Sequence, residues 1–218
     1  MSEALLRKDI KEKKIRNLYL FYGCEEYLKR NYIEYIEQNL LDEGTRLLNK
    51  VVLEDNVTVT SIVDNCETLP VFSDRRMVVV KKSGLFKGKK AKGSAKGRDD
   101  DEFATFLKNV PNHVCLIFSE AEIDKRNKAV DIVKENGLIV EFEYRKPDEL
   151  AAWAVKMARK QGCEMDAKTS AYLVEYCDSG MDDVLNEINK LCAYVAGRKK
   201  ITQEDIERVC TRSIKSRI

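Results

Sequence analysis

The sequence predicts an α/β domain built on a five-stranded parallel sheet, followed by a small all-helical domain. Two patterns predict this. Up to Glu143, short apolar runs alternate with longer stretches of helical periodicity, as in a parallel sheet covered on both faces. After Glu143 only the helical periodicity continues, and Arg145-Lys146-Pro147-Asp148 marks the junction, so the domains are expected at residues 1–143 and 144–218.

The five strands are expected at Leu18–Tyr22, Val51–Glu54, Met77–Lys82, Val114–Ser119 and Leu138–Phe142, all apolar runs of strand length. Helices over Glu25–Leu40, Thr58–Thr68, Asp100–Asn109 and Asp124–Asn136 separate them, with Gly137 placed to end the last. In the second domain Leu150, Trp153, Ala154, Met157 and Ala158 form an apolar stripe at helical spacing, and Gly162 closes that helix. The stripe assigns the one tryptophan to the core. Asp166 caps a helix through Tyr176, another runs from Met181 to Val195 with Gly197 ending it, and Thr202-Gln203-Glu204-Asp205 has the capping-box form for a last short helix.

Composition removes several function classes. No stretch has the uninterrupted apolar length needed to span a bilayer, and Met1-Ser2-Glu3-Ala4-Leu5 lacks a signal-peptide build, so a cytoplasmic location is expected. The seven cysteines are scattered without a C-x-x-C pair, which argues against a zinc site and suits a reducing compartment. His113, the one histidine, sits in the turn Pro111-Asn112-His113 and reads as a loop residue, which argues against nucleophilic triads and histidine-rich metal centres.

The segment Leu18 to Arg30 reads as strand, sharp turn and helix, the frame on which many proteins hold a nucleoside triphosphate. A phosphate-binding loop written from Gly23 needs glycine at 28, lysine at 29 and a small hydroxyl at 30. The chain has Leu28, Lys29 and Arg30, and Glu25 and Glu26 place carboxylates where an anion would bind. Lys29 alone matches, a coincidence in a lysine-rich sequence. The third strand, which in such folds ends in a magnesium-binding carboxylate, ends here in Lys81 and Lys82. Where the helical domain of an AAA+ protein offers an arginine to the γ-phosphate, the chain has Gly180-Met181-Asp182-Asp183. Three losses on one frame predict a P-loop-like fold without ATP hydrolysis, without a nucleotide cofactor and without a metal.

Two further segments each carry two readings. Leu69, Val71 and Phe72 fall in a turn, because Pro70 disfavours continuing the helix and Ser73-Asp74 is turn chemistry. They either cap the core beneath the sheet or protrude as a wedge for another protein's pocket. The run from Lys87 to Arg98 carries six positive charges, without which the formal net charge would be −4 instead of +2. It is either a solvated connection or a contact to a nucleic-acid backbone through Lys87, Lys89, Lys90 and Lys92.

Several segments in order resemble the delta-subunit family of the bacterial DNA polymerase III clamp loader. These are Leu20-Phe21-Tyr22-Gly23 followed by Glu25-Glu26-Tyr27-Leu28, the stretch Leu69 to Val80, and Asp124-Lys125-Arg126. Ser179-Gly180-Met181-Asp182 leading to Asn186-Glu187-Ile188-Asn189-Lys190-Leu191, and Ile201-Thr202-Gln203-Glu204-Asp205-Ile206, complete the set. The resemblance implies an AAA+ domain that does not hydrolyse ATP, and two neighbouring apolar residues that enter a pocket on the ring-shaped sliding clamp. Those residues match Val71 and Phe72, with Leu69 beside them. It also implies the beta subunit (the sliding clamp), the other clamp-loader subunits and, in the assembled complex, DNA as partners, with no membrane. The chain would then be a subunit of the DNA polymerase III holoenzyme, a DNA-directed DNA polymerase and nucleotidyltransferase complex, without catalysis of its own. ATP bound by partner subunits would expose the wedge, and DNA-triggered hydrolysis would withdraw it. The family has a third, C-terminal helical collar domain beyond the point where this sequence stops, so the chain is expected to comprise the first two domains. The alternatives are a nucleotide-switched AAA+ ATPase and a nucleic-acid-binding module that uses the basic loop.

Overall fold

Five apolar runs pair as expected into one parallel sheet. The strands are β1 (Leu18–Tyr22), β2 (Lys50–Leu53), β3 (Arg76–Lys81), β4 (Val114–Glu120) and β5 (Leu138–Glu141), in the order β2-β3-β4-β1-β5. The computed structural model describes residues 2–88, 97–177 and 180–211. Two compact units are present: residues up to Cys24 with Lys29–Phe142, and Glu25–Leu28 with the chain from Glu143 onward.

In the first unit the helices are α1 (Ser2–Lys11), α2 (Glu26–Leu40, whose first turn groups with the second unit), α3 (Arg46–Asn49), α4 (Val59–Glu67), α5 (Gly97–Lys108) and α6 (Lys128–Asn136). Alternation along the strands divides the core. Leu18, Leu20, Val78, Val80, Leu116 and Phe118 pack with Ile62 and Cys66 of α4, Phe103 and Leu107 of α5, and Val130 and Val133 of α6. Residues of the opposite parity, Tyr19, Phe21, Met77, Val79, Cys115 and Ile117, are equally buried. On that side the Phe21 ring meets Phe142 at 5.3 Å, and Tyr32 of α2 meets Phe142 at 5.4 Å. Burial on both faces explains why the central strands are continuously apolar.

Two helices, α1 and α3, are not apparent from the apolar pattern. The helix expected from Asp124 begins only at Lys128, because Asn127 takes the cap by accepting the Ala129 N–H at 2.9 Å. Asp124 instead closes a local turn, accepting the Arg126 N–H at 3.0 Å. Gly137 does end α6, but its φ of −145° is not left-handed. Its role is close approach: a Cβ there would lie 2.5 Å from the Leu18 carbonyl oxygen of β1. Gly137→Ala is therefore expected to lower stability by about 1–3 kcal/mol, read as a fall in the urea midpoint, since the obstacle is backbone held in a central strand.

The second unit contains α7 (Pro147–Lys160), α8 (Ala167–Tyr176), α9 (Met181–Tyr194) and α10 (Gln203–Val209). Leu150, Ala154, Ala158, Leu173, Val184, Ile188, Leu191 and Ile206 form its buried centre. Pro147 opens α7, where its missing N–H costs nothing, and Asp166 caps α8 by accepting the Thr169 N–H at 2.7 Å. The Asp205 carboxylate accepts the Thr202 N–H and hydroxyl at 2.8 Å each at the start of α10. Trp153 is half-buried, edge-on to Tyr27 at 5.2 Å. α9 stops at Tyr194 with Val195 as its cap, so Gly197 lies beyond the helix end.

Candidate functional site

In parallel sheets of this kind, ligands bind beyond the carboxyl ends of the strands. β1 ends there at Tyr22, and Gly23 follows in a left-handed conformation with φ +115°, where a Cβ would lie 2.3 Å from the Phe142 carbonyl oxygen. Leu28 is buried and Arg30 is exposed. Lys29 is 1% exposed, and its ammonium donates at 2.8 Å to the carbonyl oxygens of Gly23 and Glu120. The lysine that resembles a phosphate ligand in the sequence thus ties the β1 turn to the end of β4. Lys29 therefore has a structural role that its match to the phosphate-loop spacing does not announce. Glu120, which the sequence pattern does not single out, is 1% exposed, and its carboxylate accepts the Ser83 N–H at 2.9 Å and the Ser83 hydroxyl.

At the end of β3, Lys81 and the following Lys82 both pair with Glu54, at 3.5 and 3.0 Å. The hydrogen bond from Lys82, followed by the charge of Lys81, holds the Glu54 carboxyl below its usual range. Glu25 and Glu26 part company: Glu26 is exposed, whereas Glu25 is buried and accepts the Met181 N–H at 3.1 Å, at the first residue of α9. Burial pushes the Glu25 carboxyl above its ordinary range, against the opposing pull of the Met181 and Tyr27 N–H groups. A raised folded-state value means that ionised Glu25 costs stability at neutral pH, and that protonation recovers it as pH falls through that value. Glu25→Gln keeps an acceptor and removes the charge. The variant is expected to be at least as stable as the parent at pH 7, and the difference should close on acidification toward about pH 4, in paired urea titrations.

The turn between α4 and β3 lies at the opposite, amino-terminal edge of the same sheet. Thr68 caps the end of α4, its N–H and hydroxyl both donating to the Asp64 carbonyl. Beyond it Leu69 is 69%, Val71 40% and Phe72 89% exposed. Phe72 has φ +52°, a left-handed conformation that costs a non-glycine residue about 1–3 kcal/mol. Both legs of the turn are anchored. Asn49, fully buried at the end of α3, donates from Nδ2 to the Val71 carbonyl at 2.8 Å and accepts the Val71 N–H on Oδ1 at 2.7 Å. The Arg75 guanidinium donates to Ile15 O, Asn17 Oδ1 and Val114 O at 3.1, 2.8 and 2.9 Å. Asn49 escapes sequence reasoning because its partner is 22 residues away, brought close by the pairing of Lys50 with Met77.

Of the basic segment, Lys87 is exposed and pairs with Glu122 at 2.9 Å, while Lys89, Lys90 and Lys92 lie outside the described residues. Among the described residues no helix is long and apolar enough to cross a membrane, and no cluster of three or more histidine, cysteine or carboxylate side chains is placed to hold a metal ion.

Comparison with known proteins agrees with this frame. A Bacillus subtilis (strain 168) protein, DNA polymerase III subunit delta, is 25% identical over 97% of the chain, and the chain spans 61% of that relative's length. The solved structure of the Bacillus subtilis DNA clamp loader delta protein (YqeN) matches with a TM-score of 0.68 at 21% identity, covering 99% of this chain and 64% of that one. A Thermotoga maritima RuvB variant matches with a TM-score of 0.59 at 10% identity, covering 94% and 66%. The two structural likenesses establish the fold as α/β, a five-stranded parallel sheet with a following helical segment, shared with the delta protein and with RuvB. Residues 19–143, more than half of the chain, match the family described as DNA polymerase III, delta subunit, and the chain belongs to that family.

Proposed function

We propose that this chain is a non-hydrolysing clamp-loader subunit that binds the sliding clamp through Leu69, Val71 and Phe72 and helps open it for loading on DNA during replication. Residues 1–143 act as the clamp-binding domain with a degenerate phosphate loop, and residues 144–218 as a helical lid, in a cytoplasmic protein. The observation that carries the reading is the turn itself: three apolar side chains in solvent, the most exposed of them on a left-handed backbone, in a family member. Strain held at an exposed aromatic fits a recognition element better than a core cap. The absence of ATP chemistry is supported by Lys29 and Glu25, whose polar atoms already have protein partners.

A subunit without its own energy source shifts a ring toward its open form only by binding that form more tightly, since equal affinity for both shifts nothing. The test is to titrate the chain into a closed clamp and into a clamp variant whose ring interface is broken. Tighter binding to the broken ring is expected; equal affinities would remove the ring-opening role. Other clamp-loader subunits and DNA enter as partners of the assembled complex.

A further inference from the structure

We propose that Asn49 is the positioning residue of the apolar turn: its buried carboxamide holds both polar backbone atoms of Val71 and thereby fixes Phe72 in the left-handed conformation that presents its ring. The inference rests on the clamp-binding reading and deepens it by naming what preorganises the contact.

The geometry is specific. A side-chain amide has one acceptor and one donor end, and Asn49 spends both on a single residue, Oδ1 on the Val71 N–H and Nδ2 on the Val71 carbonyl. The pair mimics a strand partner for a residue that has no place in the sheet. Asn49 is in turn fixed, fully buried between α3 and β2, with Nδ2 also reaching the Thr45 carbonyl at 3.1 Å. The neighbouring carbonyl of Leu48 accepts from Arg76 of β3 at 3.4 Å, so the α3 end and the β3 start are tied together beneath the turn. The next residue after the clamped one, Phe72, is the one with φ +52°. A strained conformer persists only where its surroundings over-determine it, and two hydrogen bonds one residue away supply that constraint. Without them the turn samples other conformers, and the apparent affinity falls in proportion to the fraction still competent.

The test is a double-mutant cycle on clamp binding, using the chain as it stands and a fluorescently labelled sliding clamp, with Asn49→Ala, Phe72→Ala and the combination. Asn49→Ala is expected to weaken binding by about tenfold or more, and to have no further effect when Phe72 is already alanine. Asn49→Asp keeps the acceptor for the Val71 N–H and is expected to bind between the parent and Asn49→Ala. Hydrogen exchange gives a local readout that survives any loss of overall stability: the Val71 amide is protected in the parent, exchanges faster in Asn49→Ala, and retains protection in Asn49→Asp. Loss of binding in Phe72→Ala with parental binding in Asn49→Ala would overturn the role of Asn49 alone. Additive losses would overturn it too, by showing that Asn49 acts independently of Phe72. Parental binding by Phe72→Ala would instead overturn the clamp-binding reading beneath it.

Discussion

Phe72→Ala is expected to weaken clamp binding by about a hundredfold while leaving the unfolding midpoint unchanged within error. The two halves of this expectation have separate causes. In the chain alone the ring is 89% exposed, so little apolar burial is lost when it is truncated. In a complex, a phenylalanine taken from water into a pocket contributes roughly 1.5–3 kcal/mol, and aromatic anchors at the centre of an interface reach the upper part of that range. At 1.4 kcal/mol per factor of ten this is about ten- to a hundredfold or somewhat more. Val71, half as exposed as Phe72 and tethered through its backbone, is expected to lose less when truncated. Calorimetric titration of the clamp, paired with thermal unfolding of the variant, separates loss of contact from loss of fold.

The second large effect lies at the other end of the sheet. Lys29→Met is expected to lower stability by about 2–4 kcal/mol, because it leaves the buried carbonyl of Glu120 and the part-buried carbonyl of Gly23 without the ammonium that each accepts from at 2.8 Å. Removing the cost of burying a charge offsets part of this, which keeps the loss below the sum of two charged hydrogen bonds. In an ATP-binding protein the same substitution would act differently, removing nucleotide affinity with little change in fold. Urea unfolding and titration with a fluorescent ATP analogue and magnesium, run on parent and variant, distinguish the two. A parent that binds the analogue tightly and a variant that is as stable as the parent but no longer binds would give Lys29 back its phosphate role.

The strands were legible because parallel strands buried on both faces leave uninterrupted apolar runs, such as Leu18–Tyr22 and Val114–Phe118. The missing groups at 28, 30 and 81–82 were legible as well, since a phosphate loop demands particular residue types at fixed spacing. What the sequence hid was long-range. The partners of Lys29 are 6 and 91 residues away, and the second is set by the pairing of β1 with β4. Helix α1 has few buried side chains, Leu6 and Asp9, and α3 spans four residues, so neither leaves a periodic apolar stripe. The turn itself was readable as a turn from Pro70 and Ser73-Asp74, but whether its side chains pointed in or out depended on Asn49 and Arg75, whose contacts no local pattern announces.

The most direct measurement is an equilibrium titration of a labelled sliding clamp with this chain, with and without magnesium ATP. Saturable binding of the same affinity is expected in both conditions, since the proposed contact is an apolar turn at the amino-terminal edge of the sheet, away from the end where a nucleotide would sit. No binding in either condition, or binding that appears only with ATP, would contradict it.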